Sequence, residues 1–230
     1  MYSIPGVTRR TIRGGFAAAV VVLLTGCFEI NHHLTVDERD RVVSFFSFRM
    51  EKALFELAAE IDGEEMDYGE FLREADMNEE RFRTVVGEAV EVDYMLTETE
   101  GHFGFASRST IPRDSVDMPG WSVREPLPAG ALQERLFSPF VTDEGVVIPL
   151  EPFGDAAPDD AAAFLSGALY SLTVGKSLLP TLTRARVVGA GSTTATVELP
   201  VADLVDFFLI EIPLTSLFLP GERIAIVLER

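Results

Sequence analysis

The chain has 230 residues, of which 47% are hydrophobic and 24% charged, and it contains one cysteine. That length suits one substantial domain or two small ones, and a lone cysteine excludes a disulfide framework and thiolate redox or metal chemistry. The net charge of −18 argues against nucleic-acid binding, because no basic surface is available to release phosphate counterions. The acidic excess suits cationic partners or divalent ions, although a solvated or salt-adapted surface is its simplest interpretation.

The first 26 residues have the three zones of an export signal peptide. Arg9, Arg10 and Arg13 give a positive amino terminus, and residues 16–24 form an uninterrupted apolar run. This run is much shorter than the roughly 20 residues that span a bilayer, which makes a signal anchor the weaker interpretation. The paired arginines loosely resemble the twin-arginine export motif, and the sequence does not decide between this route and the general one. Residues 1–26 are therefore excluded from the predicted fold.

The four residues that end this leader, Leu24-Thr25-Gly26-Cys27, resemble the lipobox of bacterial lipoproteins. This resemblance implies cleavage between Gly26 and Cys27, a diacylglycerol on the Cys27 thiol, and a membrane-anchored protein of the cell envelope. The chemistry needs a thiol, because sulfur is the best nucleophile the chain offers toward a lipid donor. The leader carries three arginines and no acidic residue, so its removal takes the net charge to −21. Phe28 gives no aspartate-type retention cue, and inner and outer membrane both stay open.

Alternation of apolar and polar residues predicts most of the strands of the mature chain. Residues 28–36 predict a half-buried strand that begins directly after Cys27, residues 37–40 a turn, and residues 42–48 the second strand of a hairpin. A strand over 90–97 and another through Phe103 and Phe105 predict a second hairpin. The remaining predicted strands are 136–141, 146–150, 168–174, 184–189, 193–199 and 224–228.

Helical spacing of apolar residues and capping residues predict several helices. An amphipathic helix over 50–62 is expected to lie on the sheet, with a second helix over 78–86 and a short one over 68–74. A further helix is predicted over 155–165. Pro200 suits the first turn of a short helix that runs through Leu204 and Phe208.

Two stretches of unusual composition stand out in the second half of the chain. Residues 111–130 are rich in proline and carry the only tryptophan, Trp121, which predicts a long surface loop that is an internal boundary or an ordered flap. Residues 204–219 are the most apolar part of the mature chain, although Asp206, Glu211 and Pro213 interrupt them. This stretch predicts a core helix and strand, with an exposed apolar lip as the alternative.

Polar clusters give weak signals for catalysis or metal binding. His32 and His33 are adjacent on a predicted strand, so they point to opposite faces and cannot share a metal ion; His32 is expected to be half-buried and His33 exposed. His102 is the third histidine of the chain. Acidic clusters are explained more simply by helix capping or solvation than by calcium binding, because they lack the spacing of a calcium loop. These clusters are Asp155, Asp159 and Asp160, and Glu64, Glu65, Asp67 and Glu70.

The sequence contains no nucleophile elbow, phosphate-binding glycine loop or zinc-protease motif, which lowers the expectation of catalysis. We therefore predict no cofactor, no metal site and no enzymatic activity. The order of Cys27, alternating residues, hairpin and helix, followed by Tyr-Ser-Leu-Thr-Val at 170–174 and residues 195–204, resembles uncharacterised spirochaetal and LppM-like bacterial lipoproteins. This resemblance implies a small α+β envelope domain without an agreed activity, and only the lipobox carries over.

These observations predict a single α+β domain over 27–230, with a largely antiparallel sheet built from hairpins and helices packed on one face, and with a possible inserted lobe or flap near 110–165. The preferred function is non-enzymatic: a lipid-anchored envelope protein that binds a partner protein or an apolar small molecule beside the membrane. The first alternative is a structural or assembly lipoprotein without a ligand pocket. The second is an envelope hydrolase that uses acidic residues.

Overall fold

The computed structural model describes residues 28–53, 56, 68, 79–80, 83, 91–118, 120–123, 138–150, 168–189, 196–217 and 224–230. Strands make up 62% of these residues and helix 12%. The strands are β1 (Phe28–Val36), β2 (Val42–Glu51), β3 (Glu91–Glu98), β4 (His102–Ile111), β5 (Phe140–Val141), β6 (Gly145–Leu150), β7 (Leu169–Gly175), β8 (Arg184–Gly189), β9 (Thr196–Leu199), β10 (Val201–Asp203), β11 (Phe207–Pro213) and β12 (Ile224–Glu229). A short helix α1 (Arg113–Val116) and a 3-10 turn (Leu214–Leu217) complete the bounded elements.

These strands form two sheets. The first sheet has seven strands in the order β10-β11-β7-β1-β2-β4-β3, and the second has five in the order β5-β6-β12-β8-β9. All neighbouring strands pair antiparallel except β1 and β7, which run parallel. Strand β1 is therefore the centre of the first sheet, with β2 on one side and β7 on the other.

The two sheets pack face to face around a shared core. Every second residue of β1, β2, β4, β7 and β11 points inward, as in the series Phe208, Ile210 and Ile212 of β11, all buried. The inward residues of the second sheet join them in one buried cluster, among them Ile148, Val187 and Ile226. This arrangement is a β-sandwich, in which each sheet removes the apolar face of the other from water.

The predicted α+β class, with helices packed on one face of a sheet, is wrong. The core face of the first sheet is covered by a second sheet. Of the residues predicted to form the helix over 50–62, Met50 and Glu51 instead continue β2, while Lys52, Ala53 and Glu56 are helical. Among the described residues of the other predicted helices, Tyr68, Glu79, Glu80 and Arg83 are helical. The helix predicted over 155–165 lies outside the described residues.

The helix predicted from Pro200 through Phe208 is also wrong. Residues 201–203 form β10, which pairs with β11 so that Val201 opposes Ile210. Strand β11 forms instead of a helix because Phe208, Ile210 and Ile212 repeat at every second residue, and this spacing buries one face of a strand completely.

The outer face of the second sheet is buried as well. Met118, Trp121 and Val123, from the proline-rich segment, pack there against Val147 and Val227. The Arg186 guanidinium donates a hydrogen bond to the Val123 carbonyl at 3.1 Å and lies 2.9 Å from the Glu229 carboxylate. Part of the segment predicted as a surface loop is therefore ordered against the sheet. The inserted lobe near 110–165 stays a prediction.

Two glycines of the β3–β4 hairpin offer a direct test of the close packing between β2 and β4. A Cβ atom on Gly104 would lie 2.0 Å from the Phe48 carbonyl oxygen, whereas a Cβ on Gly101 in the turn would meet nothing within 4 Å. Gly104→Ala is expected to lower the free energy of unfolding by about 2 to 4 kcal/mol, because backbone must move. Gly101→Ala is the matched control and should change it by less than about 0.5 kcal/mol. Chemical denaturation of both variants measures the difference, and equal stabilities would contradict the close approach of β4 to β2 at Gly104.

Candidate functional site

A buried polar network lies on the inner face of the first sheet. His32 of β1 is 1% exposed, and its two ring nitrogens bond to neighbouring strands. Nδ1 lies 2.5 Å from the Tyr170 hydroxyl of β7, and Nε2 lies 2.7 Å from the Ser44 hydroxyl of β2. In either tautomer one ring nitrogen donates and the other accepts, so both imidazole nitrogens are satisfied.

The surroundings of this network are apolar and closed. The Phe46 ring meets His32 edge-on at 5.7 Å between centroids, and Tyr170 is completely buried. Burial lowers the pKa of His32 to about 3, with a smaller contribution from the charge of His33, and raises the pKa of Tyr170 well above its usual value. At neutral pH both groups are therefore uncharged. A group that is neutral, hydrogen-bonded and shielded from solvent suits a structural role better than proton transfer.

The network joins three strands diagonally. In the register, His32 opposes Phe46 on β2 and Leu172 on β7, whereas its partners Ser44 and Tyr170 sit two positions along. A shift of either strand by one residue would turn the partner hydroxyl to the other face of the sheet. The His32 ring therefore favours one register for β1, β2 and β7 together.

The sequence pattern placed His32 on the inner face but did not indicate its partners. His32 is fully buried, not half-buried, and His33 is half-buried on the outer face, not exposed, with its pKa lowered by burial. The sequence does contain one signal for a polar strip in the core. Three serines occupy inward, buried positions of β2 and β4, where apolar residues are expected: Ser44, Ser107 and Ser109.

The other predicted site residues are not brought together in the described part of the chain. His102 lies at the exposed start of β4, so the three histidines do not converge. Among the described residues, no group of three or more histidine, cysteine or acidic side chains could hold a metal ion. Gly26 and Cys27 lie outside the described residues, as do the acidic clusters at 64–70 and 155–160.

An open hollow of about 450 Å³ lies at the end of the first sheet where β1 begins, which we call the proximal end. It follows one row of the outer face across four strands: Glu29 on β1, Arg49 on β2, Gly104 on β4 and Thr97 on β3. Gly104 has no side chain, so the row dips between Arg49 and Thr97. We call this the proximal hollow; it is lined by Glu29, Arg49, Met95, Leu96, Thr97, Glu98, Thr99 and His102.

The proximal hollow combines exposed apolar and charged groups. Met95 and Leu96 are 61% and 59% exposed. The guanidinium of Arg49 lies 4.0 Å from the Glu29 carboxylate, the outer limit of an ion pair, and both side chains are more than half exposed. By contrast Glu98 accepts a hydrogen bond from Lys52 at 2.6 Å, which raises the pKa of that lysine. The ion pair between Arg49 and Glu29 is therefore weaker than the one between Lys52 and Glu98.

The opposite end of the first sheet, the distal end, carries an apolar turn. Val205 is 89% exposed and Leu204 40%, in the turn between β10 and β11; we call this pair the distal tip. The turn is held by bonds from the Leu204 N–H to the Phe207 carbonyl and from the Lys176 N–H to the Asp206 carbonyl, both 2.9 Å. Turns normally carry glycine, asparagine or aspartate, so two apolar residues here are unusual.

The apolar stretch at 204–219 thus divides between the two interpretations given from sequence. Phe208, Ile210, Ile212, Leu214 and Leu217 are buried in the core, whereas the distal tip is an exposed lip. No helix among the described residues is long and apolar enough to cross a membrane.

Comparison with protein-family models, with curated proteins and with solved structures finds no match in any of the three. The resemblance to bacterial lipoproteins stays an interpretation of the sequence pattern.

The buried His32 predicts how stability changes with pH. Its pKa is about 3 in the folded protein and near 6.5 when exposed, so between these values the unfolded chain binds the extra proton. The free energy of unfolding is therefore expected to fall by about 1.4 kcal/mol per pH unit from this group as pH drops from 6.5 toward 3. Above pH 6.5 the contribution is constant.

His32→Gln isolates this contribution, because glutamine does not titrate and the carboxylates remain the same. Denaturant titrations at several pH values should show a shallower loss of stability for His32→Gln than for the unchanged protein. His102→Gln is the control and should retain the steep dependence, since His102 is exposed. Parallel pH profiles for the unchanged protein and His32→Gln would exclude a neutral buried imidazole.

Proposed function

We propose that the chain is a non-enzymatic, lipid-anchored protein of the bacterial cell envelope, which binds a partner protein beside the membrane. The observation that carries this proposal is the start of β1 at Phe28, directly after the lipobox cysteine. With no linker between them, a lipid on Cys27 holds the proximal end of the first sheet at the membrane surface.

The direction of β1 gives the protein two distinct ends. β7 runs parallel to β1, and β11 runs antiparallel to β7 with Phe207 opposite Gly175. The distal tip therefore lies at the end of the sheet away from Phe28, and it points from the membrane toward the envelope space in this pose. Two apolar side chains on a hydrogen-bonded turn match a small apolar pocket of a partner protein.

The charges around the distal tip define the partner further. Asp203 and Asp206 flank the two apolar residues, and Lys176 is engaged with Asp203 at 2.6 Å. With a net charge of −21 after removal of the leader, an approaching protein is favoured when its surface is basic. We therefore expect an apolar pocket with a basic rim on the partner.

The anchor is tested by Cys27→Ser in the source bacterium. Because the thiol is the site of acylation, the variant is expected to lose incorporation of labelled fatty acid and to accumulate as uncleaved precursor. Labelled fatty acid and the mass of the mature chain are the measurements. An S-acylated or normally processed Cys27→Ser protein would refute the anchor.

The distal tip is tested by a photo-crosslinking residue at position 205 in living cells. A discrete adduct is expected from position 205 and should be absent from position 197, which is also exposed (Val197, 37%) but lies on β9 of the other sheet. Leu204→Ser with Val205→Ser should remove the partner while leaving the melting temperature within about 2 °C, since the tip has little core contact. Identical adducts from both positions, or none from 205, would count against a docking tip.

A further inference from the structure

We propose that the proximal hollow holds the headgroup of a zwitterionic membrane phospholipid, with the phosphate on Arg49 and the ammonium on Glu29. This inference rests on the proposed anchor, because a lipid on Cys27 would bring the hollow to the bilayer surface. It adds a binding site whose occupant belongs to the membrane itself.

Position is the first argument. Glu29 is the second residue of β1 and follows Cys27 by two positions in the sequence, so the chain between their Cα atoms can span no more than about 7 Å. Arg49 opposes Glu29 directly in the register. The hollow therefore lies within the depth of the headgroup region when the chain is anchored.

Charge is the second argument. Arg49 and Glu29 lie 4.0 Å apart with both side chains more than half exposed, so a ligand with one positive and one negative group can satisfy both. An anionic headgroup would satisfy only Arg49 and would meet the repulsion of Glu29, Glu98 and the net charge of −21 that remains after the leader is removed. A zwitterion carries no net charge and avoids this repulsion.

The apolar wall is the third argument. Met95 stands in the row next to Thr97 on the outer face, and Leu96 lies on the other face of the same edge strand. Both are exposed by more than half, so two neighbouring large apolar side chains meet solvent beside the charged pair. In a membrane-bound pose they contact the glycerol and first methylene groups below the headgroup.

The test uses the single cysteine as an attachment point that does not depend on acylation in the cell. A chain of residues 27–230, which contains every described strand, is coupled through Cys27 to a maleimide-bearing lipid in vesicles. One set of vesicles contains phosphatidylethanolamine and phosphatidylcholine, and the other is rich in phosphatidylglycerol. The reference is the same chain with Cys27 blocked by a soluble maleimide. The rate of Met95 oxidation by hydrogen peroxide is measured by mass spectrometry, and Met118, which packs against the other sheet, is the internal reference.

On the zwitterionic vesicles we expect Met95 oxidation to slow about threefold, the size of an exposed charge-pair interaction, with Met118 unchanged. Arg49→Gln should restore the rate of the soluble chain. Arg108→Gln is the matched control, an exposed arginine on the same outer face but two rows away, and it should keep the protection.

Three outcomes would overturn the proposal. They are an unprotected Met95 on zwitterionic vesicles, equal protection on phosphatidylglycerol, and protection that survives Arg49→Gln. The last two would mean that closeness to the bilayer suffices without headgroup recognition. None of these outcomes bears on acylation in the bacterium, which the Cys27→Ser experiment decides separately.

Discussion

Strand β1 organises the first sheet, because it is the strand that joins the β2–β4–β3 half to the β7–β11–β10 half. Its pairing with β7 is the parallel contact of the sheet, formed between residues about 140 positions apart. Closing so long a loop costs entropy that local turns do not recover. The inward side chain of His32, bonded to Tyr170 on β7 and to Ser44 on β2, supplies directional contacts at this junction. An apolar residue at position 32 would make no directional contact with β2 or β7, and it would leave two buried hydroxyls without this partner, which is costly.

The same junction shows how much of the architecture could be predicted. The hairpins β1–β2 and β3–β4 were confirmed, because one face of each is buried and the alternation is plain. The turn between β1 and β2 was also predicted from its polar residues: Asp37 accepts bonds from the backbone N–H groups of Arg39 and Arg41 at 2.9 Å, and Asp40 adopts a positive φ of 57°. Local chemistry decided these features.

The five strands of the second sheet were each predicted, but their assembly into a separate sheet that covers the first was not, and the reason is physical. Strands β6 and β12 are buried on both faces, so their sequences show no alternation and say nothing about which element covers each face. Without that information, the helices predicted from apolar spacing in the other segments were expected to cover the core face of the first sheet. The predicted class was therefore α+β. The contact between His32 and the Tyr170 hydroxyl could not be predicted from sequence spacing either, because the two residues are 138 positions apart. The inward position of Ser44 on β2 did indicate a polar strip in the core.

The direction of the central strand also limits where function can reside. A sandwich core that is closed and neutral around His32 leaves the sheet ends and the outer face as working surfaces. The two ends differ in chemistry: the proximal end has the Arg49–Glu29 pair beside apolar side chains, and the distal end has apolar residues flanked by aspartates. An anchor at Cys27 would turn the zwitterionic end toward the lipid and the acidic end toward cationic proteins. Because the whole chain is acidic, the reverse orientation would press the distal carboxylates against anionic headgroups, at an electrostatic cost. Charge and strand direction therefore favour the same pose.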